Sequence, residues 1–184
     1  SNVTNEDLFD QLPTVSIGGT LSYKLAVDIS GSTDFTVKAI DSGGTANQDD
    51  DDTSAPKTFT LVVNELNDKP SFTSAEGNQT VGEDAPLQTV EDWVLLPDEF
   101  NPGSPNESGQ GVEAFLVTEI SNEALFKVLP AVSPDGTLTY KPEATAFGSS
   151  TFKVAVKDNG GTPGIDESDP VEYTITVTPV NDPP

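Results

Sequence analysis

The side chains able to do chemistry in this chain are almost all carboxylates. The 184 residues hold 31 Asp and Glu against eight basic residues, giving a net charge of −23, and they include no His, Cys or Met. No Arg occurs in the sequence either. These absences remove the imidazole bases, thiol nucleophiles, soft-metal ligands and guanidinium forks. For acid–base work only carboxylate pairs remain, the apparatus of glycoside hydrolysis. In a chain this acidic some pair falls at a workable spacing by number alone, so no residue is assigned a catalytic role and a non-enzymatic function is expected. Asp49, Asp50, Asp51 and Asp52 form an acidic run without the alternation, central Gly and closing Glu of an EF-hand loop, and read as solvated loop. Nucleic acid and a bare anionic membrane surface are bound mainly through Lys and Arg, so neither is an expected partner.

The elements that must position these carboxylates are short. Hydrophobic residues make up 34% of the chain, too many for an acidic tail and few enough to give a thin core. The longest apolar runs, such as Trp93-Val94-Leu95-Leu96, are too brief for a membrane span or an export signal. Any such signal is expected outside these residues. Absence of Cys fits a cytosolic protein or a secreted bacterial one rather than a disulfide-stapled ectodomain.

Internal repetition is the most informative pattern. Gly19-Thr20-Leu21-Ser22-Tyr23-Lys24 returns as Gly136-Thr137-Leu138-Thr139-Tyr140-Lys141, an offset of 117 that holds from Leu8-Phe9 to Asp41-Ser42-Gly43-Gly44-Thr45, which matches Asp158-Asn159-Gly160-Gly161-Thr162. After a loop three residues shorter in the second copy the offset becomes 114, pairing Phe59 with Tyr173 and Asn67-Asp68 with Asn181-Asp182. Two domains are expected: residues 1–70, the last part of a first repeat, and residues 71–184, a complete second one. Within each copy the apolar period is two, as in Phe35, Val37, Ala39 and in Phe152, Val154, Val156, the signature of strands with one buried face. Frequent Gly, Pro, Asp and Asn between the runs leave no room for long helices. The expected fold is all-β, an immunoglobulin-like sandwich, with copy-two strands near 78–82, 87–95, 112–120, 125–129, 137–141, 151–157 and 171–178. Trp93, the single Trp, reads as core rather than as a sugar platform. Copy one has no counterpart of residues 71–117. Completion in trans, by a second molecule or by strand exchange, is therefore expected to make a homodimer.

Val81-Gly82-Glu83-Asp84, the run Phe152-Lys153-Val154-Ala155-Val156-Lys157-Asp158-Asn159-Gly160-Gly161 and the closing Val177-Thr178-Pro179-Val180-Asn181-Asp182-Pro183-Pro184 resemble the cadherin-like and immunoglobulin-like repeats of large bacterial surface and secreted proteins. Asn67-Asp68-Lys69-Pro70-Ser71-Phe72 is similar to the linker between such repeats. The resemblance implies calcium between successive domains, an ion that takes six to eight oxygen ligands. Carried over residue by residue, it implies Asn67, Asp68 and Asp158 as ligands at the junction inside the chain, with Asp98 or Asp166 adding to them. Glu83, Asn181 and Asp182 would serve the next junction. The Leu-Asp-Arg-Glu segment of the family is replaced by Tyr140-Lys141-Pro142-Glu143, which removes ligands.

The function implied is a calcium-stabilised stalk or adhesive module of a long exported bacterial protein. It would stand outside the cell or on its surface, partnered by neighbouring repeats and by a surface protein or polysaccharide. The competing expectation is a carbohydrate-binding or accessory module of a secreted polysaccharide-degrading enzyme, which calls for a groove or an exposed aromatic strip.

Overall fold

The structure is a computed structural model that describes residues 2–41, 53–161 and 163–181. The acidic run at 49–52 and Asp182 lie outside the described residues. The chain divides into two compact units, Ser1–Glu65 and Leu66–Pro184. It is almost all β, an all-β sandwich. No helix among the described residues is long and apolar enough to cross a membrane.

Among its described residues the first unit contains four strands: β1 (Phe9–Val15), β2 (Leu21–Leu25), β3 (Gly31–Val37) and β4 (Lys57–Val63). They form two antiparallel pairs, β1 with β2 and β3 with β4. The second unit adds β5 (Ser71–Phe72), β6 (Gln79–Gly82), β7 (Gln88–Val90), β8 (Phe100–Asn101), β9 (Val112–Thr118), β10 (Phe126–Val132), β11 (Leu138–Pro142), β12 (Gly148–Asp158) and β13 (Val171–Thr178). One of its sheets runs β10-β11-β7 and the other β6-β13-β12-β9, with β5 and β8 paired separately.

Alternation explains the core. The inward residues of β12 and β13, Phe152, Val154, Val156, Tyr173, Ile175 and Val177, are all buried. Facing them come Leu138 and Tyr140 of β11, Phe126 and Val132 of β10, and Trp93, with Phe72 and Phe115 closing one flank. Trp93 stacks edge-on to Tyr173 at 4.7 Å between centroids and donates its indole N–H to the carbonyl of Gly77 at 2.9 Å. This lone Trp is therefore core. The chain around it is not the strand that alternation predicts over 87–95. Pairing stops after Val90, and Asp92 turns into the left-handed region at φ 52°, so Trp93 enters the core from a bend.

The two copies share local geometry and differ in what covers them. Residues 16–20 and 133–137 close their hairpins with matching bonds: the amides of Ser16 and Ser133 reach the carbonyls of Thr20 and Thr137, and those of Gly19 and Gly136 reach the carbonyls of Ser16 and Ser133. Glycine supplies the left-handed φ in both, 81° and 87°. Burial diverges sharply: Leu21, Tyr23 and Phe59 are 42, 41 and 43% exposed, while their counterparts Leu138, Tyr140 and Tyr173 are 0, 1 and 8% exposed. Strands over the first copy's apolar face are missing from the described residues.

A paired substitution tests this. A Cβ on Gly136 would lie 2.1 Å from the carbonyl oxygen of Val94, whereas one on Gly19 meets nothing within 4 Å. Gly19→Ala should cost only the left-handed strain of about 1–2 kcal/mol. Gly136→Ala adds an overpacking penalty of about 1–3 kcal/mol and lowers the melting midpoint read by Trp93 fluorescence, which Gly19→Ala leaves in place. Equal shifts in the Trp93 signal would contradict the difference in cover.

Candidate metal centre

Asn67 holds the centre of a polar cluster that lies wholly within the second unit. Its backbone is fixed on both sides by the loop after β12: its amide donates to the carbonyl of Pro163 and its carbonyl accepts from the amide of Ile165, both at 2.9 Å. The residues expected to serve a boundary after Pro70 are thus built into one unit, which begins at Leu66. Glycine makes the approach possible. A Cβ on Gly164, itself at φ +138°, would lie 2.2 Å from the Asn67 carbonyl oxygen, and one on Gly160 1.6 Å from Asn67 Oδ1.

Four oxygens face the Asn67 amide nitrogen. Nδ2 lies 2.8 Å from the carbonyl of Ile165, 3.0 and 3.3 Å from Asp158 Oδ1 and Oδ2, and 3.4 Å from the carbonyl of Asp68. An amide has two protons to give, so four acceptors crowd a donor that can fully satisfy two. On the other side, Asn67 Oδ1 and Gln110 Oε1 are buried without any hydrogen-bond partner. A buried amide oxygen left unpaired costs about 1–3 kcal/mol.

The carboxylates around this point are desolvated and uncompensated. Asp158, at the end of β12, is fully buried, and Glu107 nearly so. Asp158 Oδ1 also accepts the Gly160 amide at 3.0 Å. Glu107, closing the short turn Pro105–Glu107, accepts the amides of Asp68 at 2.8 Å and Ser104 at 3.3 Å. Ser104 Oγ donates to Asp68 Oδ2 at 2.7 Å. The Lys157 ammonium pairs with Glu113 at 3.1 Å and Asp166 at 3.6 Å and that of Lys69 with Asp169 at 2.6 Å, and no cation pairs with Asp158 or Glu107 among the described residues. Burial raises the Asp158 carboxyl above its ordinary 3.8, opposed by the Gly160 and Asn67 hydrogen bonds and reinforced by the charges of Glu107 and Asp166.

The expected ligands are therefore divided. Asn67, Asp68, Asp158 and Asp166 come together, Asp166 through its carbonyl on the Asp158 amide at 3.0 Å and through its field. Asp98 does not join them: it is exposed, while its neighbour Glu99 ties down the amides of Ala75 and Leu95. Glu83 lies beside Gly82, whose partner Thr178 falls at the Gly148 end of the sheet, away from Asp158 at the other end of β12. There Glu83 accepts the amide of Val180 at 2.9 Å, next to exposed Asn181, and shares a depression of about 330 Å³ with Lys127 and Lys141. The compensating lysines make that end a poorer cation site. Glu107, Gln110 and the Ile165 carbonyl were not picked out by the sequence reading. Ser104-Pro105-Asn106-Glu107 has the S-x-x-E form of a helix-start capping box, a signal for Glu107 of which the structure retains the Ser104 amide to Glu107 bond.

No three carboxylates among the described residues converge closely enough to hold an ion by themselves. What converges is mixed: a carboxylate, two side-chain amides and main-chain carbonyls. That hard-oxygen set suits calcium, which accepts carbonyl and amide oxygens beside a few carboxylates, and it offers nothing to softer metals. Neither a protein-family model nor a curated protein matches the chain.

The raised Asp158 pKa has a definite sign. A carboxyl whose pKa is higher folded than unfolded binds more protons in the native state, so it opposes stability above its folded pKa and ceases to do so as pH falls toward 3.8. In EDTA, the melting midpoint read by Trp93 fluorescence should rise through that acidic window more in the parent than in Asp158→Asn. Parallel profiles for the two proteins would show that Asp158 is not destabilised by its burial.

Proposed function

We propose that the chain is a calcium-stabilised structural module of a large exported bacterial protein, acting as a stalk or adhesive element at the cell surface. The observation that carries the reading is the convergence of the Asp158, Asp68 and Ile165 oxygens on Asn67, beside two unpaired amide oxygens and without a compensating cation. With its amide turned over, so that Oδ1 takes the place of Nδ2, Asn67 would hold the ion beside Asp158 and the Ile165 carbonyl, and Asp68 and Glu107 would lend charge. Bound calcium supplies the positive charge that the cluster lacks. Asn67 then anchors residues 66–70 to the loop after β12, and Asp158 ties that anchor to the core through the strand it ends.

The chemistry supports a mechanical role rather than a catalytic one. Asp158 is closed off from solvent, so no substrate could reach it, and Trp93 is buried in the core and offers no face to a sugar. A highly acidic surface keeps such a module soluble outside the cell.

Millimolar calcium should raise the Trp93-reported melting temperature by several degrees, since saturation at a hundred times Kd stabilises the native state by about 2.7 kcal/mol. Sodium chloride of equal ionic strength should not. Asp158→Asn should fold at least as well as the parent in EDTA, because it removes a buried unpaired charge, and should lose the calcium increment. Identical melting in calcium and EDTA, or a full increment in Asp158→Asn, would overturn the proposal.

A further inference from the structure

The two copies differ by a reversal of charge at one position of the same strand pair. In the first unit β1 and β2 bring Asp10 and Lys24 together, and the ammonium meets the carboxylate at 2.6 Å. The second unit repeats that pairing residue for residue: Phe9 opposite Leu25 and Gln11 opposite Lys24 become Phe126 opposite Pro142 and Val128 opposite Lys141, with the register shifting at the same places. Lys141 thus stands where Lys24 does, but the place of Asp10 is held by Lys127. Like charges facing each other across two strands destabilise the pair that opposite charges would stabilise. In a chain with 31 acidic residues and eight basic ones, two lysines are set against each other at this one spot.

Neither lysine has a carboxylate within ion-pair distance among the described residues, whereas Lys24, Lys69, Lys153 and Lys157 all do. Carboxylates are nonetheless close. Lys127 and Lys141 line the depression of about 330 Å³ together with Glu83, Asp84 and Glu143. Glu83 is buried and turned to the Val180 amide, while Glu143 accepts the amide of Ala144 at 3.4 Å. Opposite charges share one depression without meeting, and a ligand that carries both an anion and hydrogen-bond donors would bridge the gap.

We propose that this depression binds a uronic acid residue of an acidic polysaccharide. The sugar carboxylate bridges the two ammoniums, each a compact charge with three protons to donate, and so supplies the anion that Asp10 supplies in the first unit. Ring hydroxyls donate to the carboxylates of exposed Asp84 and half-buried Glu143. An acidic peptide fits worse, because a run of carboxylates would meet Glu83, Asp84 and Glu143 while bringing few hydroxyls. A neutral sugar leaves the lysine pair uncompensated. The volume lies at the lower end of the range for small-molecule sites and suits one ring of a chain at a time. The net charge of −23 opposes any anion at long range, but it is screened beyond about 8 Å at physiological ionic strength, so contact with the two ammoniums decides. This inference stands apart from the calcium reading, since none of these groups belongs to the Asn67 cluster.

The test is an NMR titration of the full chain in EDTA with a galacturonic acid trimer, and in parallel with the neutral galactose trimer, acetate and a tri-aspartate peptide. The expected result is saturable shifts of the Ala85, Lys127, Lys141 and Ala144 amides at millimolar uronate, with at least tenfold weaker affinity for each of the other three probes. Lys127→Asp restores the first unit's ion pair, so it should melt no lower than the parent and weaken uronate affinity at least tenfold. Lys141→Gln, which removes one ammonium without adding a charge, should weaken it likewise. Absence of saturable shifts overturns the inference, as does unchanged affinity in both variants. Equal affinity for the aspartate peptide would make an acidic polypeptide the ligand, and equal affinity for acetate would leave a simple anion site without sugar recognition; either result overturns it. A failure of the calcium reading would remove the calcium increment in melting temperature from the parent and leave these titrations untouched.

Discussion

Pairing of β12 along both edges is the constraint on which both the core and the polar cluster of the second unit depend. The strand is eleven residues long, and no single neighbour covers it: β13 takes its first seven residues and β9 its last six. Where the two overlap, at Lys153 and Val154, the sheet is anchored on both sides. Past that point β9 continues the ladder on one edge, and residues 166–168 bond Val156 and Asp158 on the other, which carries the backbone out to Asp158. Antiparallel ladders fix which face each side chain takes, so an unbroken run to residue 158 delivers Phe152, Val154, Val156 and then Asp158 to the same inward side. A core strand and a charged site are thus successive inward positions of one strand, although its pairing with β9 shifts by one residue between Lys157 and Asp158.

That placement explains how a carboxylate comes to be fully buried in a protein with carboxylates to spare on its surface. Isolated, a desolvated charge costs several kcal/mol and would be selected against or neutralised. Here partial compensation comes from the Gly160 amide and from Asn67, a residue 91 positions earlier in the chain. Asn67 brings one group more than Asp158 needs, and the extra amide oxygen is the one left unpaired. The surplus runs both ways, with too many acceptors on the nitrogen and no donor on the oxygen. A site complete in itself would show neither fault.

Much of the fold was legible because it is local or periodic. Alternation found β6, β9, β10, β11, β12 and β13 to within a few residues, and the repeat offset fixed which of them recur. The short β5 and β8 were missed, since two-residue strands leave no period to read. The stretch after Val90 was over-read: its apolar run continues, but Asp92 breaks the backbone, and a lone left-handed Asp leaves no mark on hydrophobic alternation. For the site, Asn67, Asp68, Asp158 and Asp166 were legible through the resemblance of their motifs. Glu107 and Gln110 were not, because their part depends on a turn folding back some forty residues to Asp68, a distance that sequence spacing does not encode. Asp98 and Glu99 show the reverse case, where adjacent acids differ in role only through which one the loop points inward.

The two copies separate what a sequence specifies alone from what it specifies only in company. The hairpin turn at 16–20 and its twin at 133–137 keep the same hydrogen bonds and nearly the same glycine φ although one is covered and the other is not. Turn chemistry and strand alternation are satisfied within some ten residues, so they persist in either setting. Leu21 and Leu138 occupy the same register position and face the same way, yet only the second is buried, because burial is a property of what lies across the sheet. Moving a large apolar side chain from exposed to buried is worth roughly 1.5–3 kcal/mol, and the first copy forgoes part of that at Leu21, Tyr23 and Phe59 together. The motif that carries the resemblance therefore fixes local shape, while burial depends on strands outside the motif.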